Sequence, residues 1–244
     1  MKRNAKRQIV VKSSQMGPVT HIPAFDSLDE ALRFLYQLFP SASFRPSVRP
    51  IILKSQLYAV IENRTSVDIQ LGELHNSGRL RMLKVEDETD DSLGIMTAED
   101  YYLAFQDAGV SDSHPTVINR FCNLVLSEHH GLSINKALLL QHFTDDEITI
   151  LVHSGALTIR STNLWWISSP QLGRFLRVYK IGQKSLLTLL RRQRFKELLL
   201  PAIFSRGIGK AASLGSLYHI LAHVGNATCI SIPTSSGSLI RLRT

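Results

Sequence analysis

Three short stretches of this chain share one pattern, and that repetition limits what the chain can fold into. "LHNSGRLRML" begins at Leu74, "LVHSGALTI" at Leu151 and "LAHVGNATCI" at Leu221, about 70 to 80 residues apart. Each has a leucine, three residues, a glycine, and then an apolar run that alternates.

Upstream of each glycine the apolar residues recur with a helical period. Val67, Leu71 and Leu74 lie on one helical face, as do Ile148, Leu151 and Val152, and Leu217, Leu221 and Val224. Thr65 with Asp68 and Thr144 with Glu147 have the spacing of a capping box, and Ser213 is placed to cap the third helix. Gly78, Gly155 and Gly225 can then take the left-handed conformation that ends a helix. Beyond each glycine the period changes to two. Leu80, Met82 or Leu83, and Val85 alternate with Arg79, Arg81 and Lys84, while residues 156–168 and 228–242 each read as two strands around a polar turn.

Helix, glycine and hairpin form the second half of a winged helix, so two more helices are expected ahead of each. The first copy supplies 27–39 and 53–63, the second 116–131 and 133–143, and the third 173–193 and 195–207. The predicted fold is α+β and mostly helical, with three tandem winged-helix domains packed together at 26–112, 113–170 and 171–244, behind a basic disordered N-terminal tail at 1–25. The alternative is one larger α+β domain.

Charge separates the three copies. Residues 170–244 hold 12 Lys and Arg against a single acid, Glu197, whereas residues 1–115 hold 13 against 15. So one-sided a block suits a polyanion. A winged helix can place its third helix in the DNA major groove, although many bind only proteins. The second copy opens that helix with "TDDE", which would face phosphates, and its Trp165–Trp166 pair reads as one core ring and one interface ring. The first copy offers Arg64 as a phosphate contact, with Arg79, Arg81 and Lys84 on a wing strand that meets the acidic tip 86–91.

The third copy is the candidate nucleic-acid surface. Arg177, Lys180, Lys184 and Arg191 fall on one stripe if the helix runs unbroken through Gly182. Arg174, Arg192, Arg194 and Lys196 widen the stripe, and Arg206 and Lys210 flank the next loop. Six to ten phosphate contacts would make affinity fall steeply with salt. With no base-reading helix in view, backbone recognition with little sequence preference is expected. The competing readings are a pure protein-interaction module and an atypical kinase.

Catalytic patterns are missing. "GIGKAAS" lacks the first glycine of a phosphate loop, where Phe204 stands, and the hydroxyl after its lysine, where Ala211 stands. No kinase glycine-rich loop, V-A-I-K, H-R-D or D-F-G sequence occurs, and no metal or cofactor motif replaces them. The two cysteines, Cys122 and Cys229, read as small buried residues. No uncharged apolar run is long enough for a membrane span, and the basic stretch 1–11 lacks the apolar core of a secretory signal.

The run from "DDEITILVHSG" through "WWISSPQLGRFLRVYKIGQ" to "KELLL", with the ending "TSSGSLIRL", resembles the family named for serine/threonine-protein kinase 19 and regarded as winged-helix repair proteins. The likeness covers most of residues 27–244. It implies a nuclear protein of three tandem winged helices that binds DNA. The basic face leaves the choice among double-stranded DNA, RNA and single strands open, with double-stranded DNA the first expectation, and monomer and homodimer both stay open. The resemblance also implies a scaffold in transcription-coupled nucleotide excision repair, bridging the stalled RNA polymerase II complex to the helicase of TFIIH. The positions that look like the family's DNA contacts are Arg64, Arg177, Arg191 and Arg206.

Overall fold

The computed structural model describes residues 19–44, 47–85, 92–209 and 213–243. Helix α1 (Leu28–Leu38) turns Leu28, Leu32 and Leu35 inward, and the chain becomes extended at Phe39, which precedes Pro40. Strand β1 (Ile52–Leu53), α2 (Lys54–Val60) and α3 (Arg64–Asn76) follow, then the hairpin β2 (Leu80–Lys84) and β3 (Leu93–Thr97). A connecting pair, α4 (Ala98–Asp107) and α5 (Val110–Ser113), leads to α6 (Pro115–Asn123), whose end widens into a π-helical turn at Leu124–Glu128. Next come β4 (Ser133–Asn135), α7 (Lys136–His142), α8 (Asp145–His153), β5 (Leu157–Ser161) and β6 (Leu164–Ile167). The last stretch is α9 (Leu172–Arg191), β7 (Glu197–Leu199), α10 (Leu200–Arg206), α11 (Ser216–Gly225), β8 (Cys229–Thr234) and β9 (Gly237–Leu242).

All three sheets have the same order. The early short strand pairs with the last strand of its stretch, which also pairs with the middle one: β1-β3-β2, β4-β6-β5 and β7-β9-β8, all antiparallel. The early strands correct the sequence reading. Residues 53, 133–135 and 197–199, assigned above to the starts of second helices, are extended and complete each sheet. Helix periodicity in the following turns masked two- or three-residue strands too short to show a period of their own.

The helix ends sort equally clearly. Thr144 and Glu147 form the expected capping box. At α3 the cap is Asn63, not Thr65: its side chain accepts the amide of Ser66, while Asp68 accepts the Tyr58 hydroxyl and pairs with Lys54 at 2.9 Å. At α11 the cap position is Gly215, and Ser213 plays no part. Gly78 and Gly155 do take positive φ, 69° and 79°, two residues past their helices. Gly225 does not. It is the last residue of α11, and Ala227 takes the left-handed position at φ 61°. Gly225 is glycine for a different reason, since a Cβ there would lie 1.5 Å from the carbonyl oxygen of Ser55.

That close approach belongs to the most shared part of the core. Helix α11 is buried on every side, as expected for a helix apolar all round. Leu217 and Leu221 complete the cluster of α1, α2 and α3; Tyr218 and Ala222 join a second cluster with Phe39, Phe121 and Phe175; Ile220 joins a third with Leu186, Leu190 and Ile240. Tyr218 donates its hydroxyl to Ile51 O at 2.7 Å, and the buried Gln56 amide donates to Tyr218 O at 3.0 Å. The first and last stretches therefore share one interior.

Part of the predicted tail is also structure. Residues 1–18 lie outside the described residues, but Val19, Ile22 and Phe25 pack against the cores, and the Phe25 ring lies tilted against Phe34 at 5.3 Å. Ser238 N donates to Thr20 O at 2.8 Å and Ile22 N to the Ser238 hydroxyl at 3.2 Å. The "TSSGSL" ending, conspicuous in the sequence, thus grips residues 20–22, whose apolar side chains were too few to read as an element.

Candidate nucleic-acid interface

Helix α9 runs unbroken through Gly182. Its inner face, Phe175, Tyr179, Leu186 and Leu190, is buried; Arg177, Lys180, Lys184 and Arg191 are exposed on the opposite side. With about 100° per residue, Arg174 through Arg192 keep their basic side chains within a band of about 120°. Like charges three or four residues apart cost a helix a few tenths of a kcal/mol per pair, whereas each buried apolar side chain contributes about 2 kcal/mol. Burial of the inner face holds the helix, and the repulsion on the outer face is left for a ligand to relieve.

The companions expected from the sequence lie beside it. Arg192, Arg194, Lys196 and Arg206 are all exposed. The Arg206 guanidinium donates to the Gln193 side-chain oxygen at 3.1 Å, which orients it toward the end of α9. Glu197, the one acid of this region, is taken by Arg241 at 2.5 Å across β7 and β9. Among the described residues Arg177, Lys180, Lys184, Arg191 and Arg192 have no carboxylate partner. A hollow of about 370 Å³ lies between α9 and the loop after α10, with Lys184, Arg192, Ser185 and Thr188 on its wall. Lys210 lies outside the described residues, as does the acidic tip 86–91.

Two basic residues of the first stretch have other tasks. Arg64 is exposed, yet one guanidinium nitrogen donates to Gly225 O at 3.2 Å and the group sits 5.0 Å from the centre of the Tyr58 ring. It neutralises the carbonyl end of α11 while leaving the rest of its donors to solvent. Arg81, expected on a wing strand, is 0% exposed. It donates to Val125 O at 2.8 Å, His129 O at 3.1 Å and Gly131 O at 2.5 Å, the orphan carbonyls around the π-helical turn. The alternation of β2 was read as one wet face, but both faces are covered: Leu80 and Met82 meet the first cluster, Leu83 and Val85 the second. Arg81 shares the second face and caps a helix end there; burial lowers its pKa from the ordinary value.

Groove reading by the third helix is closed in the last stretch. Leu217, Tyr218, Ile220 and Leu221 of α11 are all interior, so the exposed charge resides on the first helix of that stretch, α9. The run "SLYHILAHV", apolar on all sides, carried that signal. The exposed start of α8 is acidic, and Glu147 is engaged by Arg120. Trp165 is half-buried against the core, and Trp166 lies under Arg160, 4.1 Å from its ring.

Burial pushes the Cys122 thiol up to about 12 and that of Cys229 to about 11. Among the described residues no helix is long and apolar enough to cross a membrane.

Comparison with known proteins bears on most of the chain. The family described as inactive serine-threonine protein kinase 19 matches residues 36–226. A Xenopus laevis protein named winged helix repair factor 1 is 34% identical over 87% of this chain and 82% of its own length. Proteins of the same name from Mus musculus and Homo sapiens are 34% and 33% identical, over 93% and 96% of this chain and 91% and 93% of theirs. The word inactive agrees with the missing kinase motifs.

Proposed function

Because the chain belongs to the inactive serine-threonine protein kinase 19 family, we propose that it is a non-catalytic repair protein of three tandem winged helices that holds double-stranded DNA by its backbone. The observation that carries this reading is the basic band on α9, whose Arg177, Lys180, Lys184 and Arg191 have no carboxylate partner among the described residues and lie over a buried apolar face, flanked by Arg206. Such a surface meets phosphates and leaves base edges unread, so binding is general in sequence. The names of the relatives support a role in repair. Within that role the scaffold we propose acts in transcription-coupled nucleotide excision repair in the nucleus, with the α9 face on DNA and other surfaces bridging the stalled RNA polymerase II complex to TFIIH. The exposed acidic start of α8 suits a basic protein partner in that arrangement.

The test is duplex affinity by fluorescence anisotropy across a salt series. Contact with about six phosphates gives a slope of log affinity on log salt near −5. Replacing Arg177, Arg191 and Arg206 together by Glu is expected to abolish binding while the melting temperature stays unchanged, since all three are exposed. Wild-type affinity in that triple variant would overturn the reading.

A further inference from the structure

At the end of α9 the chain exposes the aromatic ring of Phe195, 67% accessible. It sits in the turn 193–196, between basic neighbours on both sides: Arg194, whose guanidinium lies 5.1 Å from the ring centre, and Lys196. An isolated exposed apolar ring needs no explanation. This one stands on a turn that is both costly and held firmly. Lys196 has φ 54°, a left-handed conformation that glycine would adopt without strain. The turn is closed by Lys196 N donating to Gln193 O at 3.1 Å and anchored by Leu242 N donating to Lys196 O at 3.0 Å. Gln193 in turn donates to Leu189 O and accepts from Arg206. The ring is thus presented from a fixed backbone, beside an open hollow of about 400 Å³ bordered by Glu197 and Arg241.

Single-strand nucleic-acid sites combine a cationic path for the backbone with aromatic rings on which unpaired bases stack. Here the cationic path is α9, and Phe195 stands at its end. We propose that Phe195 is a stacking platform for an unpaired nucleobase, so that the protein prefers a junction where duplex DNA opens into a single strand. The proposal rests on the backbone-binding reading of α9 and adds to it a structural preference that charge alone does not give. Duplex phosphates lie along Arg177, Lys180, Lys184 and Arg191, and the first unpaired base beyond them meets the ring, with Arg194 and Lys196 neutralising the adjoining phosphates.

The experiment compares a blunt duplex with the same duplex carrying an oligothymidine tail, by anisotropy at fixed salt. The wild type is expected to bind the tailed DNA more tightly. One stacked base contributes about ten-fold in affinity, so Phe195→Ala should lose about that factor on tailed DNA and stay within about two-fold of wild type on blunt duplex. Phe195→Trp should keep the preference, and its added indole emission, over the background of Trp165 and Trp166, should be quenched by the tailed DNA and not by the blunt one. An unaltered melting temperature in both variants is expected from the exposure of the site. Three results would each overturn the platform and leave the backbone reading standing: wild-type binding to both DNAs without preference, equal weakening of both by Phe195→Ala, or unquenched emission from the Phe195→Trp variant on tailed DNA. Failure of the wild type to bind either DNA would overturn both.

Discussion

The His219 imidazole fills the space where a side chain at position 182 would be: a Cβ on Gly182 would lie 2.0 Å from His219 Nε2. His219 is fully buried and stacked 5.6 Å from Tyr179, so it cannot swing aside. Gly182→Ala gains about 1 kcal/mol of helix propensity but overpacks a core contact at a cost of about 1–3 kcal/mol or more. A net loss reaching about 2 kcal/mol or more is expected in urea unfolding. The double variant Gly182→Ala with His219→Ala should lose less than the sum of the single losses, because one clash is shared; strict additivity would refute the contact.

The same histidine and His223, one turn on, predict acid sensitivity. Burial depresses His219 to about 3, with the His223 charge adding to the effect, and burial depresses His223 to about 4. Both pairs of ring nitrogens lack a partner among the described residues. The unfolded chain takes up protons near pH 6.5 and the folded one does not until about pH 4 and below. Stability is therefore flat above about pH 7 and falls as pH drops from about 6.5, by up to about 1.4 kcal/mol per pH unit for each histidine. His223→Leu should reduce that slope by about half between pH 6 and 4.5, measured by denaturant unfolding at each pH.

Arg81 predicts a stability defect without a binding defect. Arg81→Ala removes the donor from one buried and two part-buried carbonyls and leaves a cavity behind, a loss of about 3 kcal/mol. Arg81→Lys should recover only part of it, since one ammonium cannot reproduce the guanidinium fork. Duplex affinity of the folded protein should be unchanged in the lysine variant; a reduced salt slope would place Arg81 at the nucleic acid instead.

The three stretches should not come apart as independent folds. Leu217 and Leu221 contribute about 2 kcal/mol each to a core made otherwise by residues of the first stretch, from α1, α2, α3 and the strands β1, β2 and β3. Residues 171–244 alone are expected to lack a cooperative melt, with apolar dye binding in place of a fixed core. Calorimetry of the whole chain should give one transition; resolved transitions for separate stretches would contradict the shared interior.

Much of this arrangement was legible before any coordinates. The helix–glycine–hairpin phrase located α3, α8, α11, the second and third hairpins and the first strand of the other, and the charge count found the face of α9. Four things were hidden, each for a physical reason. The early strands are too short to carry a period. Arg81 looked like a surface residue because nothing local says that a second layer covers β2. Gly225 had the spacing of a helix stop, whereas its reason is the carbonyl of Ser55, some 170 residues away in the chain. Phe195 opens the helix that the sequence predicts over 195–207; its exposure is decided by the turn at Lys196, which only tertiary hydrogen bonds fix.

The placement of α11 also sets an order in time. A chain made from its N-terminus displays α1, α2 and the β2–β3 hairpin long before Leu217 and Leu221 exist to cover them. Contacts of such separation close late. Until the final helix arrives, the apolar surface that Leu217 and Leu221 cover in the finished fold stays open to solvent.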